Sequence, residues 1–241
     1  MRLYLAMQRV YIESVRTDHP SYAYLRTRPG YMSLVLLAMG VFLTIAAAFN
    51  SRFPGDLAIA KQVQALASPW LDSVMEAATV VADTPVAIGS LLALAAGLSL
   101  ARRLLDATIV LFGGLALEAI IQGVKWAVAR PRPTDDLVRI LETGSSGSFP
   151  SGHTYHVVLF GGLLLVLLAF RIHRPWLRSA LTTLIVALAI FTIVSRVYLG
   201  AHWPSDVLGS VVLGIPSVAF LLGLRQHLQG RGAISSQPPP P

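Results

Sequence analysis

Cysteine is absent from the 241-residue chain, which excludes disulfides, thiolate nucleophiles and cysteine-ligated metal sites. Charge is scarce as well: Asp, Glu, Lys and Arg make up 13% of the residues, about half the share of an ordinary water-soluble domain. Hydrophobic residues reach 54% and the mean hydropathy is +0.64, so a soluble fold would need an unusually apolar core, whereas lipid covers such side chains without cost. The charge that exists is lopsided, with 19 Lys and Arg against 12 Asp and Glu. Those cations are dispersed between apolar runs and are not interleaved with aromatics, which excludes a nucleic-acid groove.

The apolar runs are continuous and not alternating, which predicts membrane helices over barrel strands. Six spans are expected, at 31–49, 85–100, 104–124, 154–170, 177–194 and 207–224, the second extending back toward Ala77. The expected fold is therefore all-α, a six-span transmembrane bundle with short interfacial helices. One membrane domain covers 29–229, between an N-terminal segment 1–28 on the cytoplasmic side and a disordered proline-rich tail 230–241. The first segment contains an amphipathic helix on that reading. The first span is retained, since its flanks lack a cleavage pattern.

Basic residues orient the bundle. With both termini inside, 12 of the 19 Lys and Arg residues fall on short cytoplasmic segments, among them Arg102, Arg103, Arg171, Arg174, Arg178 and Arg225. Residues 54–84 then lie outside and predict one or two interfacial helices, with Pro69 starting one and Trp70 at headgroup depth, a lid packed over the bundle being the alternative. Compactness and the inward arginine bias point to a bacterial plasma membrane. Glycines 113, 114, 161, 162, 209 and 214 are expected at close helix contacts.

Three polar tracts interrupt the apolar pattern at outer span ends. In 125–133 (KWAVARPRP), Lys125 lies near a helix end and Arg132 follows seven residues later between two prolines. The prolines break helical spacing, so a compact ammonium and a planar guanidinium can converge on one phosphate. The alternative is an interfacial basic loop for lipid headgroups, a role that suits Arg130 and Arg139. In 150–153 (PSGH), Ser151 is placed to cap a helix whose first turn holds Gly152 and His153, amides that can also bind an anion. A plain capped helix explains Ser151 and Gly152 but not the histidine. His156 is expected to pack or support, because no carboxylate set accompanies the two histidines as metal ligands.

In 196–206 (RVYLGAHWPSD), Arg196 closes a span, His202 follows six residues on, and Asp206 four further. Pro204 suits a first helical turn, where the Asp206 carboxylate is favoured and can hold one ring nitrogen of His202 while the other faces phosphorus. A buried, merely structural His–Asp pair is the alternative.

Together the tracts resemble the type 2 phosphatidic acid phosphatase superfamily, with its K-x6-RP, PSGH and SR-x5-H-x3-D signature. Lys125, Arg132 and Pro133, then 150–153, then Ser195, Arg196, His202 and Asp206 match it without departure. The resemblance covers about 104–224. It implies that His202 attacks phosphorus, that Asp206 orients it, and that His153 protonates the leaving oxygen. Lys125, Arg132, Ser151, Gly152 and Arg196 would hold the phosphate, with no metal and no cofactor. The expected substrate is a lipid phosphate or diphosphate in the bilayer, undecaprenyl diphosphate or phosphatidylglycerophosphate foremost. The alternative function is a lipid-phosphate binding or transport protein without turnover.

Overall fold

The computed structural model describes residues 20–235, and every regular element among them is helical. α1 spans Pro20–Phe49, α2 Asp56–Gln64, α3 Pro69–Val80, α4 Thr84–Leu100, α5 Leu104–Val128, α6 Gly152–Leu167, α7 Pro175–Tyr198 and α8 Pro204–Ser235. One π-helical turn interrupts α5 at Ile109–Gly113.

Among the described residues, four stretches are long and apolar enough to cross a membrane: Tyr31–Phe49 within α1, α5, α7, and Pro204–Gln229 within α8. α3 and α4 qualify as a pair but meet at 45°, so the second expected span does not run straight back toward Ala77. The cause is local: α4 starts at Thr84 with Pro85 in its first turn, and a proline there has no N–H with which to continue α3. The remaining expected span is α6, whose 16 residues extend only about 24 Å against roughly 30 Å of hydrocarbon. It gives way at Leu168 to a 3-10 turn, Ala169–Arg171, instead of running to Phe170. Helices α2 and α3 occupy the 54–84 segment, and Pro69 is the first residue of α3.

The domain edges also differ from expectation. α1 starts at Pro20, inside the segment assigned to the N-terminus, and the amphipathic helix expected there lies largely outside the described residues. α8 continues through Ser235, past the tail boundary placed at 230, while 236–241 fall outside the described residues. Nothing local stops the helix at Gly230, because the prolines come only after Gln237.

α8 packs against α1 and α6, and α7 against α6 and α3. The core joins Leu91, Leu94 and Leu98 of α4 to Val110 of α5, Tyr155, Leu159 and Leu163 of α6, and Leu221 of α8. α6 and α8 meet closely: a Cβ on Gly162 would stand 2.7 Å from Val218, and one on Gly214 2.7 Å from Val158. Phe42, Phe112, Leu184 and Phe220 project outward, as lipid-facing side chains do. At the end of the bundle where α5 begins, Asp106 pairs with Arg103 at 2.6 Å and with Arg225. Two of the arginines counted as inward are thus tied together there.

Candidate active site

α5 and α7 end, and α6 and α8 begin, at the opposite end of the bundle. α5 closes with Ala129 in the left-handed region (φ 46°), its amide bonded to Lys125 O at 3.1 Å. The chain then passes through two X-Pro steps that hold it extended. Between α7 and α8, Gly200 adopts φ 73°, and a Cβ there would come 2.3 Å from Arg139 O. That turn brings the Ala201 and His202 amides back onto Arg196 O, each at 3.1 Å, and so fixes His202 beside the end of α7.

The structure gathers all eight residues singled out from the sequence around this end. His202 is buried, with Nε2 3.3 Å from Arg132 Nη1. An arginine only donates, so Nε2 is the ring nitrogen that carries a lone pair. On the other side, Nδ1 lies 3.7 Å from Asp206 Oδ2, too far for the direct hydrogen bond expected between them. Ser148 stands between: its Oγ is 3.4 Å from Nδ1 and donates a short bond to Asp206 Oδ2. Asp206 Oδ2 also accepts the Trp203 amide at 2.8 Å, which caps α8 and holds the carboxylate off the ring. Burial pushes the His202 pKa down to about 3; the Asp206 carboxylate works against that shift, and the Arg132 charge reinforces it. His202 is therefore neutral near pH 7.

Two residues missed as site components support this pair. Ser148 is one. Arg130, assigned from sequence to headgroups, is 1% exposed and donates to Asp206 Oδ1 at 2.5 Å, Asp56 Oδ2 at 3.1 Å and Ser205 Oγ at 2.8 Å. Its guanidinium also lies 4.7 Å from the Phe53 ring. Asp56 completes the knot by accepting the Ser205 amide at 2.9 Å and the Ser205 hydroxyl at 2.7 Å. Arg130 thereby ties the start of α2, through Asp56, to the start of α8, through Ser205 and Asp206.

The predicted phosphate ligands differ in their commitments. Arg132 donates to two carbonyls, Ser146 O at 2.9 Å and Ala201 O at 2.7 Å, and has no carboxylate partner among its hydrogen bonds. Burial lowers its pKa, but a guanidinium remains charged at any ordinary pH. Its head rests on Gly144, where a Cβ would come 2.4 Å from Cζ. Lys125 Nζ donates to Pro150 O at 3.0 Å, joining the end of α5 to the PSGH turn. Arg196 is fully buried and paired with Glu142 through both oxygens, one at 2.9 Å, leaving Nε without a partner among the described residues.

Ser151 caps α6, its Oγ accepting the Thr154 amide at 3.5 Å and its carbonyl the Tyr155 amide at 3.0 Å. The Gly152 and His153 amides are left without an acceptor among the described residues, two of the orphan donors that start any helix. A Cβ on Gly152 would meet only His156 Cε1, at 4.0 Å, so no neighbour requires glycine there. His153 Nε2 lies 2.7 Å from Asp83 Oδ1. His156 points into the bundle, between Glu118 Oε2 and Ala82 O, both at 2.8 Å, in the supporting place expected of it. Among the described residues, no three His, Cys, Asp or Glu side chains are grouped as a metal site.

The chain resembles known proteins over most of its length. The chain is 29% identical to phosphatidylglycerophosphatase B of Bacillus subtilis (strain 168) over 193 residues, covering 78% of this chain and 93% of that protein. It is 41% identical over 76 residues to "Putative undecaprenyl-diphosphatase YbjG" of Escherichia coli (strain K12), 31% of this chain and 33% of the other. The crystal structure of a transmembrane PAP2 type phosphatidylglycerolphosphate phosphatase from Bacillus subtilis superposes with a TM-score of 0.71 at 26% identity, covering 82% of this chain and 97% of that one. The model of the PAP2 superfamily matches residues 107–229, more than half of the sequence and every one of the three polar tracts, and the chain belongs to that superfamily.

Proposed function

We propose that the protein is an integral-membrane lipid phosphatase that works through a phosphohistidine on His202. The observation that carries this reading is the state of that ring: buried, neutral, backed by Ser148 and Asp206, with its lone-pair nitrogen turned toward Arg132.

Nε2 of His202 attacks phosphorus as the bond to the lipid oxygen breaks, and His153 gives that oxygen its proton. In the second step His153 takes a proton from water, the hydroxyl adds to phosphorus, and inorganic phosphate leaves with His202 restored. The charge developing on the three equatorial oxygens is met by Lys125, Arg132, Arg196, Ser151 Oγ and the amides of Gly152 and His153. These donors supply the stabilisation with no metal ion in either step. Phosphate shares or takes over the Arg196 fork now held by Glu142. Asp206 stabilises the imidazolium through Ser148, and Arg130 holds the Asp206 carboxylate in place.

The relatives support the substrate class. Phosphatidylglycerophosphate is the preferred candidate, since the relative named for it matches over nearly its whole length, and undecaprenyl diphosphate is the other. The arrangement we infer is one domain over 29–229 with six membrane passes, α3 with α4 and the short α6 each counting as one. Both termini lie in the cytoplasm and the site on the outer face of a bacterial plasma membrane, so a lipid keeps its tail in the bilayer while its headgroup enters.

The test is phosphate release in detergent from phosphatidylglycerophosphate, undecaprenyl diphosphate and phosphatidic acid, with a chelator present. Turnover that survives the chelator and is lost in His202→Ala is the expected result. Binding without release would instead make the protein a lipid-phosphate carrier.

A further inference from the structure

The corner between α3 and α4 reaches into the site through a residue that the three motifs do not contain. Asp83 precedes α4 at the N-cap position, where an aspartate ordinarily bonds the amides of its own helix. Here it makes no such bond. Its carboxylate turns to His153 instead, with Oδ1 2.7 Å from Nε2 across 70 residues of sequence. A ring nitrogen facing a carboxylate is the donor, which leaves the other nitrogen, Nδ1, for the leaving oxygen.

The corner is held in place independently of this contact. The next residue back, Ala82, offers its carbonyl to His156 Nδ1 at 2.8 Å. His156 Nε2 meets Glu118 at 2.8 Å, and Glu118 accepts Gln122 at 2.7 Å, so α5 and α6 both anchor the turn. From the other side, Thr192 of α7 donates to Ala78 O at 2.8 Å. An exposed ion pair on flexible elements contributes little, but a carboxylate on a fixed corner sets the direction of the ring it touches.

We propose that Asp83 is a positioning residue for the reaction: it orients His153 and keeps a proton on it for the departing lipid oxygen. This rests on the reading of His153 as the leaving-group acid. Asp83 from the corner, Arg196 from α7 and Glu142 from the preceding loop are the charged groups acting on His153. Of these, Asp83 bonds the ring.

The experiment compares the full-length protein and Asp83→Asn on two substrates in detergent. Phosphatidylglycerophosphate has a poor alkoxide leaving group; p-nitrophenyl phosphate departs without help from an acid. Asp83→Asn is expected to lower kcat on the lipid about ten- to hundredfold, less than the roughly 10²–10⁴-fold of a general acid itself, with KM little changed. Loss in kcat/KM on the aryl phosphate, which reports the first step and not the water step that His153 also serves, should stay below about threefold, and the alkaline limb of the lipid profile should move to lower pH. Asp83→Glu should recover part of the lipid activity. In a His153→Ala background, Asp83→Asn should cost nothing further, because it acts through that ring. Equal losses on both substrates, or a full additional loss in the His153→Ala background, would overturn the proposal while leaving the hydrolase reading intact. Wild-type protein inactive on both substrates would remove the hydrolase reading and this one with it.

Discussion

Arg130 and Arg132 leave one proline-rich loop two residues apart and enter opposite surroundings. Arg130 faces the floor of the site, where Asp56 and Asp206 neutralise it, and it is 1% exposed. Arg132 faces the mouth, bonded to two carbonyls and 3.3 Å from Nε2 of His202, the nitrogen proposed to attack. The floor's charge is committed to protein carboxylates and so fixes geometry. The mouth's charge is held in position by neutral groups and stays available to an anion. The two cations thus differ in partner as well as in depth, though not in residue type.

The largest expected effect breaks the floor. Arg130→Met leaves two buried carboxylates unpaired, so stability should fall by about 3–5 kcal/mol, with activity lost as well. Thermal unfolding in detergent reads this, and a folded, active Arg130→Met would erase the distinction between the two arginines. Next comes Arg132→Ala, which should lower kcat/KM by about 10²–10³ while the melting temperature barely moves.

Arg132 also bears on pH. His202 must be unprotonated to attack, so activity falls as pH drops through its pKa, held at about 3 chiefly by burial and in part by the Arg132 charge. Removing that charge raises the pKa, and the acid limb of Arg132→Ala should shift upward from that of the wild type. Between about pH 3 and the ordinary histidine value of 6.5, the native protein binds fewer protons at His202 than the unfolded chain does. Its stability should therefore decline as pH falls through that window.

Ser148→Ala probes the join between floor and mouth. Without the hydroxyl, His202 Nδ1 and Asp206 remain 3.7 Å apart with no bridge, a cost of about 1–3 kcal/mol that should appear as a drop in kcat of about five- to 150-fold. The smallest effect is expected from Glu142→Gln, which weakens the carboxylate competing for Arg196. Inhibition by inorganic phosphate should tighten about two- to fivefold, the scale of a half-exposed ion pair.

Much of this was legible in the sequence, because lipid demands continuous apolar runs and leaves charge only where it is used or at the membrane face. The ends of α5 and α7 and the starts of α6 and α8 could be read directly, and they carry Lys125, Arg196, His153 and Asp206. The bend before α4 had a visible cause in Thr84-Pro85, which the hydropathy of the surrounding segment obscured. Arg130 could not be assigned, since its loop looks like any basic headgroup loop and Asp56 lies 74 residues away. Ser148 is a serine in a run of serines and glycines, and only the 3.7 Å gap between His202 and Asp206 gives it a role. Such partners are fixed by tertiary approach, and local pattern carries no trace of them.

The proposed mechanism turns on His202 as the nucleophile. Rapid acid-free quenching of turnover on radiolabelled phosphatidylglycerophosphate, followed by peptide mapping, tests it most directly. An acid-labile, alkali-stable phosphoryl group on the peptide containing His202, absent in His202→Ala, is the predicted result. Label on His153, or a phosphoenzyme that still accumulates in His202→Ala, would contradict it.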